Sequence, residues 1–264
     1  MISRKIITRK YATLRRVGFR EVFYKYSRHF FPKFQSNSVT KKIEDGLIIH
    51  YFRGSSFPTP DEFNRMGYET FDIALSLEGN VAIDIGAHVG AYALRLARKF
   101  RFVYAFEPNP VTFRILARNI KENHIENIEP LEIAVSDTPG KKRMRTSSKF
   151  LPASTLAEKH YDWVDLDAVM FPMTESLDHY FRNGIGKIDF IKIDAENHEL
   201  SVLKGMRGII EKHRPIMSVE VHQKPSTLTD CECNVCNYLR ELGLSVELHG
   251  RYTPEMEAHW LIVR

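Results

Sequence analysis

From about residue 66 onward, the hydrophobic positions alternate between short apolar runs and stripes at helical spacing. Val81–Asp84 is an apolar run closed by an acid. Residues 88–99 predict a helix, with Val89, Tyr92, Ala93 and Leu96 on one face and Arg95, Arg98 and Lys99 on the other. Phe102–Phe106 reads as a second strand. Pro110 suits a helix start, and Phe113, Leu116 and Ile120 continue at helical spacing. A third strand is expected over Ile128–Val135 and a fourth over Ile188–Ile193. One helix through Leu203, Met206 and Ile210 follows, then a fifth strand over Ile216–Val221. The last helix has a candidate capping box, Thr229-x-x-Glu232, a stripe of Val235, Tyr238, Leu239 and Leu242, and Gly243 as its stop. Leu244–Leu248 and Trp260–Val263 have only a loop between them, so they are expected to pair antiparallel. This order implies an α/β fold: an open, mostly parallel sheet with helices on both faces and a C-terminal hairpin.

Upstream the pattern is different. A β-like stretch over Leu47–Phe52 is followed by a Ser/Pro-rich turn at 54–60, which reads as a boundary. The expected division is a basic N-terminal extension over 1–60, helical and β in character, and one domain over 61–264.

Charge sharpens that division. The net charge is +5, but residues 1–34 hold ten bases and one acid, whereas the other 230 residues hold 28 bases and 32 acids. The body is therefore acidic, and nucleic acid is not expected as a partner. The leader interleaves its bases with Phe19, Phe23, Tyr24, Tyr26, Phe30 and Phe31. It could lie on an anionic membrane, bind an acidic partner, pack on the domain as a solvated helix, or serve as a transit peptide. It lacks the uninterrupted apolar core of a secretory signal. No stretch approaches the roughly 18 apolar residues of a membrane span. The three cysteines, Cys231, Cys233 and Cys236, suggest no disulfide framework, so a reducing, cytoplasmic location is expected, with membrane contact through the leader as an open alternative. Their spacing resembles a metal motif, but no fourth ligand lies nearby in sequence, and a structural role is expected.

Chemistry concentrates at the ends of the strands. Val81-Ala-Ile-Asp-Ile-Gly-Ala-His-Val-Gly90 takes a strand through a small-residue turn into a helix, and Glu107 closes the second strand 23 residues after Asp84. Such glycines admit close backbone approach, and such an acid can accept both ribose hydroxyls of a nucleoside. The dinucleotide fingerprint is not met, because His88 follows Gly86 at the second position. Asp84 would repel a pyrophosphate and tolerate a cationic sulfonium, which favours S-adenosylmethionine over NAD.

The chain resembles the FkbM family of methyltransferases. The resemblance rests on Asp84-Ile-Gly-Ala-His-Val-Gly90, Phe106-Glu-Pro-Asn109, Ala134-Val-Ser-Asp137 with Gly140, Ser176-Leu-Asp178, Ile191-Lys-Ile-Asp-Ala-Glu-Asn-His-Glu199 with Val202-Leu-Lys-Gly205, and Pro215-Ile-Met-Ser-Val-Glu220. It implies a Rossmann-like, seven-stranded methyltransferase sheet and methylation of hydroxyls on sugars, glycoconjugates or natural products. Carried over by position, Asp84, Gly86 and Gly90 would shape the methionine end of the cofactor pocket, with Ala87 also cofactor-binding; His88 reads as a backbone-held loop residue that could contact the cofactor carboxylate. Glu107 would hold the ribose, Ser136 and Asp137 would lie by the adenine, Asp194 near the methionine or the reacting groups, and Asn109 would be a further cofactor-binding residue. Asn197 departs from the glycine usual in the family, although asparagine tolerates positive φ.

A second cluster comprises Asp194, Glu196, His198 and Glu199, with Glu220 and His222 ending the fifth strand. Methyl transfer to an alcohol needs alignment and removal of a proton, so His222 or Glu196, with Asp194 beside them, are the expected catalytic groups. His198 reads as a helix-start residue and Glu199 as helix-terminus electrostatics. Asp194, Glu220 and His222 could instead hold Mg²⁺ or Mn²⁺, although base catalysis needs no ion. Two other functions stay open: methylation of nucleic acid or protein, and a non-catalytic cofactor-binding scaffold. The first lacks the Pro-Pro-aromatic signature after the fourth strand, and the second would predict loss of Asp84, Gly86 or Glu107.

Overall fold

The computed structural model describes residues 38–42, 46–52, 69–147, 154–157, 166–223, 231–253 and 258–264. In chain order the principal elements are β1 (Gly79–Ile85), α1 (Ala91–Leu96), β2 (Phe100–Phe106), α2 (Pro110–Glu122), β3 (Ile128–Leu131) and β4 (Ile188–Ile193). There follow α3 (Glu199–Lys204), α4 (Arg207–His213), β5 (Ile216–Val221), α5 (Asn234–Glu241), β6 (Val246–Thr253) and β7 (Ala258–Val263). The seven strands form one sheet in the order β6-β7-β5-β4-β1-β2-β3. Strands β1 to β5 pair in parallel, and β7 runs antiparallel to both β5 and β6.

Side-chain alternation along the strands serves two layers. Val81, Ile83 and Ile85 of β1 share a core with Val202 and Leu203 of α3, Ile210 of α4 and Leu239 of α5. The intervening Asp84 faces the other way and accepts the Ala93 amide of α1 at 3.0 Å. The chain steps outward through β2 and β3 on one side of β1, then returns to β4 and β5 on the other. Right-handed crossovers in these opposite directions place the helices on opposite faces. The reversal lies between β1 and β4, and the carboxyl ends of strands at such a point are where open α/β sheets bind ligands.

Four local expectations are corrected. The helix expected from residue 88 starts at Ala91, because His88 (φ 50°) and Gly90 (φ 99°) are left-handed and cannot enter a right-handed helix. The expected third strand divides. β3 ends at Leu131, and Ala134–Val135 joins a separate three-stranded sheet with Gly140–Lys141 and Met173–Glu175. Pro130, which has no N–H to donate, sits in β3 at the sheet edge, where a proline is tolerated. The single helix expected after β4 is two, separated at Gly205 and Met206. The last helix is capped by Cys233, whose sulfur accepts the Cys236 amide at 3.4 Å, and Thr229 lies outside the described residues.

Strand Ile48–Phe52 is tied to α2 by side chains. Asn119 bonds both the amide and the carbonyl of His50, and Asn123 does the same for Ile48. The larger compact unit begins at Thr40 and includes this strand. The leader 1–34 and the turn at 54–60 lie outside the described residues. Among the described residues no helix is long and apolar enough to cross a membrane.

Candidate functional site

A cradle forms where β1 and β2 end. Gly86 (φ 73°) turns the chain, and a Cβ there would collide with the Asp194 carbonyl. The Gly86 and Ala87 amides both donate to the Phe106 carbonyl at 3.0 Å, which holds the turn against β2. Glu107 is buried just beyond. Its two oxygens accept the His88 and Asn109 amides, each at 2.9 Å. Burial pushes its carboxyl up to about 7, against the lowering effect of those two amides. The His88 ring is desolvated, which depresses it to about 4, so it is neutral, and its Nε2 makes no hydrogen bond. Gly90 (φ 99°) gives α1 its entry beside Leu116.

Lys192 connects this cradle to β4. Its side chain is 4% exposed, and its ammonium donates to the Gly86 carbonyl at 2.8 Å. It also lies 3.3 Å from Asp194 and 3.5 Å from Asp84. Burial would depress the ammonium, but Asp194 and Asp84 outweigh that and hold its pKa above the ordinary value. Burial raises the Asp84 carboxyl, and Lys192 offsets this only in part. Burial acts the same way on Asp194, but there Lys192 and His222 prevail and hold the carboxyl low.

The acid–base cluster assembles at the ends of β4 and β5. His222 is buried, and its Nδ1 lies 2.8 Å from Glu199 Oε1. Its Nε2 faces three more carboxylates: Glu196 and Glu220 at 3.7 Å and Asp194 at 3.9 Å. Burial would lower the ring pKa, but Glu196, Glu199 and Glu220 outweigh it and raise it well above the usual histidine value. Burial and the neighbouring Asp194 raise Glu220 well above the carboxylate range, so Glu220 can donate a proton to Asp194. Glu196 (φ 50°) and Asn197 (φ 72°) form a left-handed turn into α3, and the Asn197 amide donates to Glu199 at 2.9 Å. The asparagine thus adopts the backbone that a glycine would.

Of the remaining predicted residues, Asn109 joins the cradle through its amide on Glu107, and Ser136 and Asp137 are held by partners of their own. Ser136 Oγ lies 2.9 Å from His198 Nε2 and accepts from Lys142 at 2.7 Å. Lys142 also pairs with Asp137 and holds that carboxyl down near 2. Asn109 caps α2 by accepting the Val111 amide at 3.0 Å, and its amide nitrogen reaches Ser154 at 3.1 Å.

Residues 84–253 match the methyltransferase FkbM domain family. The chain belongs to the FkbM methyltransferase family. It is 32% identical over 146 residues to the hexuronic acid methyltransferase AglP of Haloferax volcanii, covering 55% of this chain and 57% of that protein. It is 26% identical over 165 residues to the methyltransferase sdnD of Sordaria araneosa, covering 52% of this chain and 64% of that one. The matches thus span less than two thirds of either relative. The crystal structure of an FkbM methyltransferase from Methylobacillus flagellatus aligns over 70% of this chain and 44% of its own, with 19% identity and a TM-score of 0.48.

Within this FkbM domain, the sequence reading gave Lys192 no role and placed Glu199 in the acid–base cluster only as helix-terminus electrostatics. Lys192 is a buried cation between Ile191 and Ile193 of β4, and a buried lysine flanked by such residues is itself a signal. Glu199 is 1% exposed and holds the His222 ring, so helix electrostatics is not its main task. Their partners lie 106 and 23 residues away along the chain, beyond the reach of local patterns.

Proposed function

We propose that this FkbM protein is an S-adenosylmethionine-dependent O-methyltransferase acting on a hydroxyl of a sugar, glycoconjugate or natural product. The observation that carries the reading is the buried His222–Glu199 pair beside Asp194, at the same carboxyl end of the parallel strands as the buried acid Glu107. The residues present fit the cofactor. Each Glu107 oxygen accepts one amide and keeps a lone pair for one hydroxyl of a ribose diol. His88 Nε2 and Asp194 Oδ1 are buried without a hydrogen bond and have capacity for further polar atoms. When bound, the cofactor supplies an electrophilic methyl group. Asp84, Gly86, Ala87, Gly90 and Asp194 would line its methionine portion, and Ser136 and Asp137 its adenine. Asn109 would act through the α2 cap, since its side chain is already engaged. Glu196, 3.7 Å from His222 Nε2, would take the acceptor proton, with the charged His222 ring, held by Glu199 through Nδ1, orienting that carboxylate. The name of the Haloferax volcanii relative favours a sugar acceptor.

A second reading has one observation behind it. Ligand atoms of Asp194, Glu220 and His222 lie within 4.8 Å of one another and could hold a divalent ion.

Calorimetric titration with S-adenosylhomocysteine, with NAD as control, tests the class. Micromolar binding of the first alone is expected, and binding of neither removes the proposal. With uronic-acid acceptors, Glu196→Gln is expected to lower turnover about 10²–10⁴-fold at unchanged S-adenosylhomocysteine affinity. Activity lost to a chelator and restored by Mg²⁺ would favour the ion instead.

A further inference from the structure

The sequence offered no fourth ligand for Cys231-x-Cys-x-x-Cys236, but the hairpin supplies one. Strand β7 pairs with β5 so that His259 lies opposite Val221, and this register carries its imidazole to the start of α5. One sulfur from each cysteine and one ring nitrogen of His259 all lie within 4.8 Å of one another. Cys231, Cys236 and His259 are 2%, 0% and 1% exposed, and Cys233 is half-buried.

The imidazole is prepared for coordination. Nδ1 lies 2.7 Å from the Gln223 carbonyl, which fixes the proton there and leaves Nε2 with a lone pair. Nε2 is buried and makes no hydrogen bond. Such an atom is costly unless something accepts its lone pair. The sulfurs are also arranged for an ion. Cys233 and Cys236 stand 3.3 Å apart, too far for a disulfide bond of about 2.05 Å. A tetrahedral zinc about 2.3 Å from each sulfur would set them about 3.8 Å apart, a small opening of the present cluster. The amides of Cys233 and Cys236 point at the sulfurs of Cys231 and Cys233, both at 3.4 Å, as donors that favour thiolates.

We propose that Cys231, Cys233, Cys236 and His259 bind one Zn²⁺ as a structural Cys₃His site. Soft thiolates select zinc over magnesium or calcium, and four protein ligands close the coordination sphere. The site is separate from the Asp194–Glu220–His222 cluster and does not depend on the methyltransferase reading. Its ion pins the start of α5 to β7. Through Gln223 it also steadies the end of β5, from which Glu220 and His222 project.

The test is metal analysis of the full-length chain, purified without a metal-affinity tag. One zinc per chain is expected, retained in His222→Gln and reduced at least fivefold in Cys233→Ser and in His259→Ala. Chelation is expected to lower the Tm of the wild-type protein by about 5–10 °C, the shift for a ligand held near a hundredfold its Kd. If the variants do not fold, the wild-type protein loaded with Co²⁺ decides. A sulfur-to-cobalt charge-transfer band at one equivalent supports the site. Absence of zinc with no cobalt band overturns it, as does zinc unchanged in folded Cys233→Ser and His259→Ala. A Cys233–Cys236 disulfide whose reduction restores no metal uptake also overturns it.

Discussion

At the scale of single residues, the two acids first read from the strand ends behave differently because their neighbours differ. Asp84 and Asp194 share the Lys192 ammonium, whereas the hydrogen bonds that reach Glu107 come from backbone amides. The positions of the acids were legible because an acid that closes an apolar run is a local pattern. Lys192 as their counter-ion was not, since it faces Asp84 only once β4 lies beside β1. The Glu107 environment has a measurable consequence. Its carboxyl titrates near 7, and the proposed ribose hydroxyls bind the ionised form. Protonation below pH 7 therefore competes with ligand, and bound hydroxyls in turn lower the pKa. S-adenosylhomocysteine is expected to bind about tenfold more weakly at pH 6 than at pH 8, with proton release on binding near pH 7, and Glu107→Gln should remove the difference. A flat pH profile of calorimetric Kd in the wild-type chain would show that this carboxylate does not hold the ligand.

At the scale of elements, legibility followed the range of the constraint. Ile188–Ile193 and Ile216–Val221 were read to the residue, because their apolar runs are closed by local polar signals. The break between α3 and α4 left no such signal, since Leu203, Met206 and Ile210 keep helical spacing across it. Its cause is tertiary. Gly205 packs on the Ser136 carbonyl so closely that a Cβ would collide with backbone. The same contact sets the loop on which Ser136 meets His198. Gly205→Ala must therefore displace either the helix end or that loop. The expected cost is about 1–3 kcal/mol in urea unfolding, the usual range for overpacking. Gly186→Ala is the matched control. That glycine has nothing within 4 Å of its built Cβ, so a change below about 0.5 kcal/mol is expected. Equal costs at the two positions would mean that the helix break has another origin.

At the scale of the whole molecule, charge and chemistry are divided along the chain. Residues 1–34 carry a net +9 and the remaining 230 a net −4, while every residue assigned to the cradle and the acid–base cluster lies within the unit Thr40–Arg264. The remaining 230 residues are net acidic, so attraction to anionic surfaces is expected to come from the leader. Basic residues near an anionic membrane contribute about 1 kcal/mol each, and salt screens this over a Debye length of about 8 Å at physiological ionic strength. We therefore propose that residues 1–34 recruit the protein to anionic lipid. The full chain is expected to co-sediment with phosphatidylserine vesicles at low salt and to dissociate as salt is raised. A chain lacking residues 1–34 should stay in the supernatant, yet bind S-adenosylhomocysteine within about twofold of the full chain, because its cradle is complete. Vesicle binding that survives the deletion would place the lipid contact on the body despite its charge. A tenfold loss of S-adenosylhomocysteine affinity would instead make the leader a wall of the pocket, and recruitment and catalysis would then be one device rather than two.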